Sequence, residues 1–235
     1  MSLFDAIRDA FGLLFSGDAA LWQIIWVSLK TSIIGLLAAT PLAVLAGYVI
    51  ATHEFAGRRI VIWLAQAALS LPTVLIGLLL YLVLSRSGPF GSLQWLFTQT
   101  GIIAGQVLIV LPVLIAFTLS AVQAADPRLA ETAVVHGASK WHVMLTVLHE
   151  VRFGVMAAII NGFGRAISEV GCAMMVGGNI AGDTRTITTA IALETSKGEF
   201  AQGIALGIVL VAVALAINAA MMLVQGDTRP ARDIS

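Results

Sequence analysis

Charged residues are scarce in this chain. Asp, Glu, Lys and Arg make up 11% of its 235 residues, hydrophobic residues make up 59%, and the formal net charge is zero. Soluble domains average about 25% charged and 45–50% apolar residues, so this composition excludes an ordinary soluble fold. The balanced charge and the lack of a basic cluster argue against nucleic-acid binding. A single cysteine, Cys172, supplies no set of metal-binding thiolates.

Motifs of the common enzyme classes are also missing. No GxxxxGK[ST] phosphate-binding loop is present, so we do not expect the chain itself to hydrolyse ATP. No Gly-x-Ser-x-Gly nucleophile motif occurs either. His136, His142 and His149 share one polar segment, but their spacing is not that of HExxH and no cysteine accompanies them. We therefore expect no catalytic residue, no metal site and no cofactor in this chain.

Long hydrophobic runs fill most of the sequence. Four runs contain no charged residue: 31–52, 60–85, 102–125 and 200–226. Each exceeds the roughly 20 apolar residues that an α-helix needs to cross a membrane. A fifth run, 153–178, is interrupted only by Arg165 and Glu169. These runs predict an all-α polytopic membrane protein with five transmembrane helices, in which residues 1–235 form a single domain.

A further amphipathic segment precedes the first run. Its apolar residues recur near helical spacing, at Leu3, Phe4, Ile7, Phe11, Leu14 and Phe15. This pattern predicts a short N-terminal helix lying in the membrane interface. A frayed terminal extension is the alternative.

Prolines and small residues inside the runs indicate how the helices bend and pack. Pro41, Pro72 and Pro112 lie within the first three runs, where each is expected to kink a helix. Kinks suit a bundle around a polar path, although membrane helices also tolerate proline. Small residues at four-residue spacing let backbones approach closely, within the subunit or across a dimer. They are Gly154, Ala158, Gly162 and Ala166 in the run 153–178, and Gly203 and Gly207 in the last run.

The distribution of Lys and Arg predicts the orientation. One side of the five-span bundle receives seven of them, namely Arg58, Arg59, Arg128, Lys140, Arg152, Arg229 and Arg232. The other side receives four, namely Arg8, Arg86, Arg185 and Lys197. By the positive-inside rule the first group is cytoplasmic, which puts the N-terminus outside and the C-terminus inside.

The longest polar segment between runs, 126–152, reads as a helical hairpin. Asp126-Pro127 is a good helix start, because Asp caps a helix and Pro fits its first turn. The segment 136–139 breaks the helix, and a second helix follows Ser139 with apolar residues on one face: Trp141, Met144, Leu145 and Leu148. A projecting amphipathic hairpin cannot bury that face alone, so we predict that it is a docking surface.

The hairpin resembles the EAA loop of ABC importer permeases. The resemblance rests on Glu131-Thr132-Ala133 followed by Gly137-Ala138 and by hydrophobic residues up to Leu148. It implies that the loop fits a groove in a cytoplasmic ATPase subunit, with Glu131, Thr132, Ala133, Gly137, Ala138, Trp141, Met144 and Leu145 at the contact. The Leu-Pro that usually ends the motif is replaced here by His149-Glu150.

Two further stretches narrow the resemblance. The segment 164–180 contains Arg165, then Glu169 and Gly171, and then Gly178-Asn179-Ile180, a pattern similar to that of permeases of the molybdate and sulfate group. Together with Thr184-Arg185 and the segment 188–195, it is most similar to tungstate importer permeases. The resemblance implies a type I ABC importer permease fold.

Arg165 and Glu169 carry the only charges inside the runs. They are four residues apart, so on one helix they can form an ion pair. Arg165 lies roughly 18 Å along the helix axis from Phe153, past the middle of the membrane. One interpretation is that the ion pair holds the helices of the fold together. The other is that Arg165 gives the path of an anion a positive potential. Both can hold together.

The predicted outer segment 179–200 is rich in hydroxyl groups and could guide an oxyanion. The candidate path residues are Arg165, Glu169, Asn179, Thr184, Arg185 and Thr188. The segment 188–193 also reads as an ordinary short helix resting on the membrane.

The resemblance implies the permease subunit of an ATP-driven oxyanion importer, with tungstate the first candidate and molybdate or sulfate the alternatives. It further implies a homodimer, two cytoplasmic ATPase subunits that bind ATP and Mg²⁺, and an extracytoplasmic oxyanion-binding protein. Two rivals from other classes stay open. One is an intramembrane enzyme that uses Arg165 and Glu169, and the other is a channel that conducts without partners.

Overall fold

The computed structural model describes residues 8, 11, 12 and 16–225 of the chain, which are helical with no strand. The predicted all-α class is therefore confirmed. The N-terminal amphipathic helix and the C-terminal Arg229 and Arg232 fall outside the described residues, apart from Arg8 and Phe11.

Ten α-helices and one 3₁₀ turn, Gly91–Leu93, make up this part of the chain. The helices are α1 Ala19–Thr52, α2 Arg58–Ala68, α3 Thr73–Leu84, α4 Gln99–Gln123, α5 Pro127–Val135, α6 Lys140–Glu150, α7 Arg152–Ile167, α8 Gly171–Gly177, α9 Ile187–Lys197 and α10 Phe200–Gln225.

Three of these helices, α1, α4 and α10, are each long and apolar enough to cross a membrane. The pairs α2–α3 and α6–α7 pass the same test only when each is taken as one bent span, with bends of 102° and 70°. The helix α1 has 34 residues and begins well before the predicted run, because Asp18 caps its first turn by accepting the Ala20 N–H at 2.8 Å.

The second run is not the single kinked helix that we predicted. Pro41 and Pro112 do lie inside α1 and α4, but Pro72 immediately precedes α3. Proline has no N–H to donate and disfavours helical geometry at the residue before it. The chain therefore leaves the helix after Ala68 and turns through 102° before α3.

The run 153–178 is broken as well, between Ile167 and Gly171. The Ser168 hydroxyl donates to the Gly164 carbonyl at 2.7 Å, which closes the last turn of α7. The helix α8 then packs against α3 at glycines: a Cβ on Gly171 would lie 2.5 Å from Val74 Cγ2, and a Cβ on Gly77 would lie 2.7 Å from the Cα of Cys172. Larger side chains would separate the two helices.

A stripe of small residues on α1 forms the centre of the core, where α1 packs against α4. This stripe was not predicted from the sequence. Its members are all buried and recur every four residues: Gly35, Ala39, Ala43 and Gly47. A Cβ on Gly35 would lie 3.0 Å from Gln106 Cβ, and a Cβ on Gly47 would lie 2.9 Å from Thr118 Cβ. The helices α1 and α4 thus run side by side in the same direction, almost backbone to backbone.

The predicted stripe on α7 packs within the subunit. A Cβ on Gly154 would lie 2.5 Å from Ala121 Cβ of α4, and one on Gly162 would lie 3.1 Å from both Leu36 and Val110. The two glycines predicted to pack on α10 have different surroundings. Gly203 faces Thr195 of α9, whereas nothing lies within 4 Å of a Cβ on Gly207.

The bundle has two distinct ends. The hairpin α5–α6 lies at one, which we call the hairpin end, and the segment 178–199 lies at the other, the opposite end. Polar side chains of α1 and α4 hold the latter segment. The Gln99 amide donates to the Asp183 carbonyl at 2.8 Å, Lys30 Nζ donates to Gln99 Oε1 at 3.0 Å, and Gln23 donates to the Gly182 carbonyl.

We predict that Gly47→Ala lowers the thermal stability of the purified protein, because the added methyl group must push α1 away from Thr118. Overpacking of this kind costs about 1–3 kcal/mol. The measurement is the midpoint of thermal unfolding in detergent. Gly207→Ala is the control, since space is open there, and it should leave the midpoint unchanged or slightly raised. Equal effects of the two substitutions would contradict the packing argument.

Candidate coupling surface and transport path

The hairpin at the end of α4 has the predicted helix boundaries. The Asp126 carboxylate accepts the Arg128 N–H at 2.9 Å, and Pro127 occupies the first turn of α5. The helix α6 begins immediately after Ser139. The sequence therefore located both helices of this hairpin correctly.

Gly137 makes the turn between the two helices possible. Its φ of +79° lies in the left-handed region, which favours glycine. The Gly137 N–H donates to the Val134 carbonyl at 2.9 Å, and the Ala138 N–H donates to the Ala133 carbonyl at 3.0 Å. These two bonds form a Schellman motif, which closes the end of α5 and fixes the angle between the helices.

The apolar face of α6 divides between the bundle and the solvent. Met144, predicted to belong to the docking face, is instead buried with Val147 against Tyr48 and Val122 of the long helices. Helical geometry explains this result, because Met144 and Val147 are three residues apart and point the same way. The hairpin is therefore anchored on α1 and α4.

Four large apolar side chains of the hairpin are left exposed, and we call them the hairpin patch. They are Val134, Val135, Trp141 and Leu145, and Val135 is 83% exposed. Glu131 and Thr132 on α5 are also exposed. The predicted coupling residues other than Met144 thus lie on an accessible or partly accessible surface.

The histidines of the hairpin make local contacts. His136 Nδ1 lies 2.8 Å from the Thr132 carbonyl, and His142 Nδ1 lies 2.7 Å from Ser139 Oγ. In the described ranges, no group of three or more His, Cys, Asp or Glu residues is arranged to hold a metal ion.

Arg165 and Glu169 do not form the predicted ion pair. The only ion pair among residues 16–225 joins Lys197 to Glu194. The prediction was wrong because it assumed one continuous helix, whereas α7 ends at Ile167. Glu169 is 5% exposed, and its carboxylate accepts the Cys172 N–H at 2.9 Å in the first turn of α8.

Arg165 instead belongs to a polar stripe on the outer face of α7. Asn161, Arg165 and Ser168 are exposed on the protomer. Asn161 and Ser168 satisfy their donors within their own helix, by bonds to the carbonyls of Ala157 and Gly164. The guanidinium of Arg165 has no partner in the part of the chain that the structure describes.

The hydroxyl-rich segment at the opposite end is folded upon itself. Thr184 is fully buried, where its hydroxyl donates to the Gly177 carbonyl and accepts the Ile180 N–H at 2.9 Å. Arg185 Nε lies 3.3 Å from Asn179 Oδ1. Thr184 therefore shapes the loop, and of these three side chains only Asn179 and Arg185 are accessible to a solute.

Thr188 links α9 to the break in the run 153–178. Its hydroxyl donates to the Glu169 carbonyl at 2.6 Å, and it is 6% exposed. The helix α9 is a short helix of 11 residues, as the alternative interpretation of this segment predicted. Ile187 and Ala190 pack it against α1 and α10.

Several polar residues that position these elements are not among the residues predicted from the sequence. The loop 178–186 is held by side chains of α1 and α4, namely Gln23, Lys30 and Gln99. Gln106 of α4 is buried and bonds to α1 and α7. The only signal available was a polar residue within or next to an apolar run. That signal does not predict which residue each side chain contacts, because the partners are distant in sequence.

These features, a helical membrane bundle with a projecting hairpin, match those of a known family of transport proteins. Residues 21–229 match the family of binding-protein-dependent transport system inner membrane components, and the chain belongs to that family. It is thus an inner membrane component of a transport system that depends on a binding protein.

Individual relatives are permease proteins. The chain is 38% identical over 216 residues to the tungstate uptake system permease protein TupB of Campylobacter jejuni, covering 92% of this chain and 90% of that one. It is 29% identical over 173 residues to the molybdenum transport system permease protein ModB of Haemophilus influenzae, covering 70% and 76%. The predicted resemblance is confirmed, and the chain is a transport subunit rather than an enzyme.

A solved structure shares the fold. The bacterial alginate ABC transporter in complex with an alginate pentasaccharide-bound periplasmic protein contains a chain that superposes with a TM-score of 0.72. The match covers 93% of this chain and 85% of that chain at 20% identity. The predicted ABC importer permease fold is confirmed.

We predict that Glu169→Gln retains most transport activity, whereas Glu169→Leu loses most of it. The amide oxygen of Gln can still accept the Cys172 N–H, but Leu cannot. Leaving a buried donor unpaired costs about 1–3 kcal/mol. The measurement is substrate uptake normalised to the amount of permease in the membrane. An ion pair with Arg165 would instead make the Gln and Leu variants equally defective.

Proposed function

We propose that this permease imports tungstate, a tetrahedral divalent oxyanion, as a homodimer whose path runs between the two copies. The observation that carries the proposal is the exposed polar stripe of Asn161, Arg165 and Ser168 on α7. Charge that faces lipid is expensive, so such residues face a water-filled cavity. The relatives that transport tungstate and molybdate support an oxyanion as the substrate.

Arg165 supplies the positive charge in this path. Because Glu169 is turned away into the first turn of α8, the guanidinium is free to donate to an oxyanion that has lost its hydration shell. A conduit must also release its ion, which a single exposed Arg permits. Asn179 and Arg185 form a second polar pair at the opposite end, where the anion would enter.

The hairpin end faces the cytoplasm in this proposal, with the N-terminus outside and the C-terminus inside. Separate ATPase subunits, which bind ATP and Mg²⁺, dock on the hairpin patch. An extracytoplasmic binding protein delivers the anion to the opposite end. Closure of the ATPases on ATP moves the hairpin and alternates the access of the path between the two sides.

The anchoring of the hairpin supports this coupling. Met144 and Val147 are buried against α1 and α4, so force applied to the exposed patch is transmitted to these two long helices. The Schellman motif at Gly137 restricts the movement of α5 relative to α6. A channel that conducts without partners would have no use for such a surface.

Molybdate or sulfate is the alternative substrate of the same mechanism. Similarity to a molybdenum permease supports it, and all three ions are tetrahedral dianions that a guanidinium binds in the same way. Discrimination among them then depends mainly on the binding protein.

We predict that deleting the gene abolishes high-affinity tungstate uptake. We also predict that Arg165→Gln lowers uptake roughly tenfold or more, because the charge-assisted hydrogen bonds to the anion are lost. Arg165→Lys should retain a substantial part. Uptake of tungstate, molybdate and sulfate is measured by elemental analysis of cells. Arg59→Gln, which removes an exposed arginine away from α7, is the control. Unchanged tungstate uptake after deletion, with molybdate or sulfate uptake lost, would assign the alternative substrate.

We predict that Val135→Asp abolishes co-purification of the permease with its ATPase and uncouples transport, because it puts a charge at the most exposed position of the hairpin patch. Membrane insertion should be unaffected. Gln123→Asp introduces the same charge at an exposed position of α4 beside the hairpin and should leave the complex intact. A Val135→Asp complex with full ATPase binding would contradict the docking surface.

A further inference from the structure

We propose that Gln106 is a positioning residue for Arg165, which it holds in place through the last turn of α7. The proposal rests on the proposed role of Arg165 in the anion path. Gln106 is 4% exposed and is the only polar side chain in the segment 101–117 of α4. A buried amide in such surroundings is costly unless its polar atoms are paired.

The amide joins three helices. Gln106 Nε2 donates to Ser32 Oγ of α1 at 3.3 Å and to the Ala166 carbonyl of α7 at 3.5 Å. The orientation of the amide is fixed chemically, because the Ala166 carbonyl can only accept and must face the NH₂ group. Ala166 directly follows Arg165, so this bond acts on the turn that presents the guanidinium.

The backbone at this point needs such support. The helix α7 ends one residue later, at Ile167, so carbonyls of its last turn lack the usual partners within the helix. The Ala166 carbonyl also accepts the Glu169 N–H at 3.2 Å. Gln106 supplies a second donor, which comes from a neighbouring helix and therefore fixes the end of α7 relative to α4.

In the part of the chain that the structure describes, only the nitrogen of the amide is paired. Gln106 Oε1 has no hydrogen-bond partner within the described residues and lies against Gly35, where a Cβ would be 3.1 Å away. The amide therefore acts on α7 through its nitrogen alone.

The substitution that tests this role is Gln106→Met, which keeps the length and unbranched shape of the side chain but removes the donor. Thr118→Val is the matched control. Thr118 is also a buried polar residue of α4, also packs on a glycine of α1, and also has an unpaired oxygen, but it has no bond to α7.

The first measurement is a double-mutant cycle on uptake by the complete importer. We expect Gln106→Met to lower uptake roughly tenfold in the wild-type background, but less than about twofold in the Arg165→Gln background, because interacting residues are not additive. The same fold-loss in both backgrounds would overturn the proposal, since Gln106 would then act independently of Arg165.

The second measurement is hydrogen exchange of the purified full-length permease, which needs no substrate. We expect peptides covering residues 164–170 to exchange faster in Gln106→Met and to be unchanged in Thr118→Val. Unchanged exchange in Gln106→Met would overturn the positioning role. If Arg165→Gln transports normally, the proposed path fails while this measurement still decides how Gln106 acts on α7. Should Gln106→Met fail to fold, Gln106→Leu also removes the donor to the Ala166 carbonyl and gives the same readout.

Discussion

The close approach of helix backbones through small residues is the constraint on which this structure depends. Lipid offers no hydrophobic drive between helices, so association rests on tight packing and on a few polar contacts. The stripe from Gly35 to Gly47 brings α1 against α4, and the stripe from Gly154 to Ala166 brings α7 against both. Because α1, α4 and α7 are joined in this way, they form the rigid core from which the functional elements project.

Two departures from regular helix shape this core. The turn before Pro72 and the break at 168–170 interrupt two hydrophobic runs that the sequence predicts to be continuous spans. At the break, Glu169 turns inward to cap α8, and Arg165 remains outside on α7. In a continuous helix, Arg165 and Glu169 would lie on the same face and could form an ion pair. The interruption separates the two charges and leaves a free cation facing the proposed path.

The hairpin α5–α6 shows how one amphipathic element serves two surfaces. Its inner residues, Met144 and Val147, are buried on the ends of α1 and α4, while the hairpin patch remains uncovered. In the proposed coupling to ATPase subunits, a loosely attached hairpin would flex and transmit little motion. This hairpin packs directly on α1 and α4, which suits it to that proposed role.

The sequence by itself determined the membrane class, the helical hairpin with its Asp126 cap and Gly137 turn, and the stripe on α7, because these depend on local composition and spacing. The resemblance carried by Glu131–Gly137 and Arg165–Gly171 also identified the family. Only the tertiary structure decided which way Glu169 points, which residues of α6 are exposed, and that Gln106 joins three helices. The direction of Glu169 depends on where α7 ends, and the exposure of α6 depends on its packing against α1 and α4. The contacts of Gln106 reach partners 74 and 60 positions away, which no local pattern indicates.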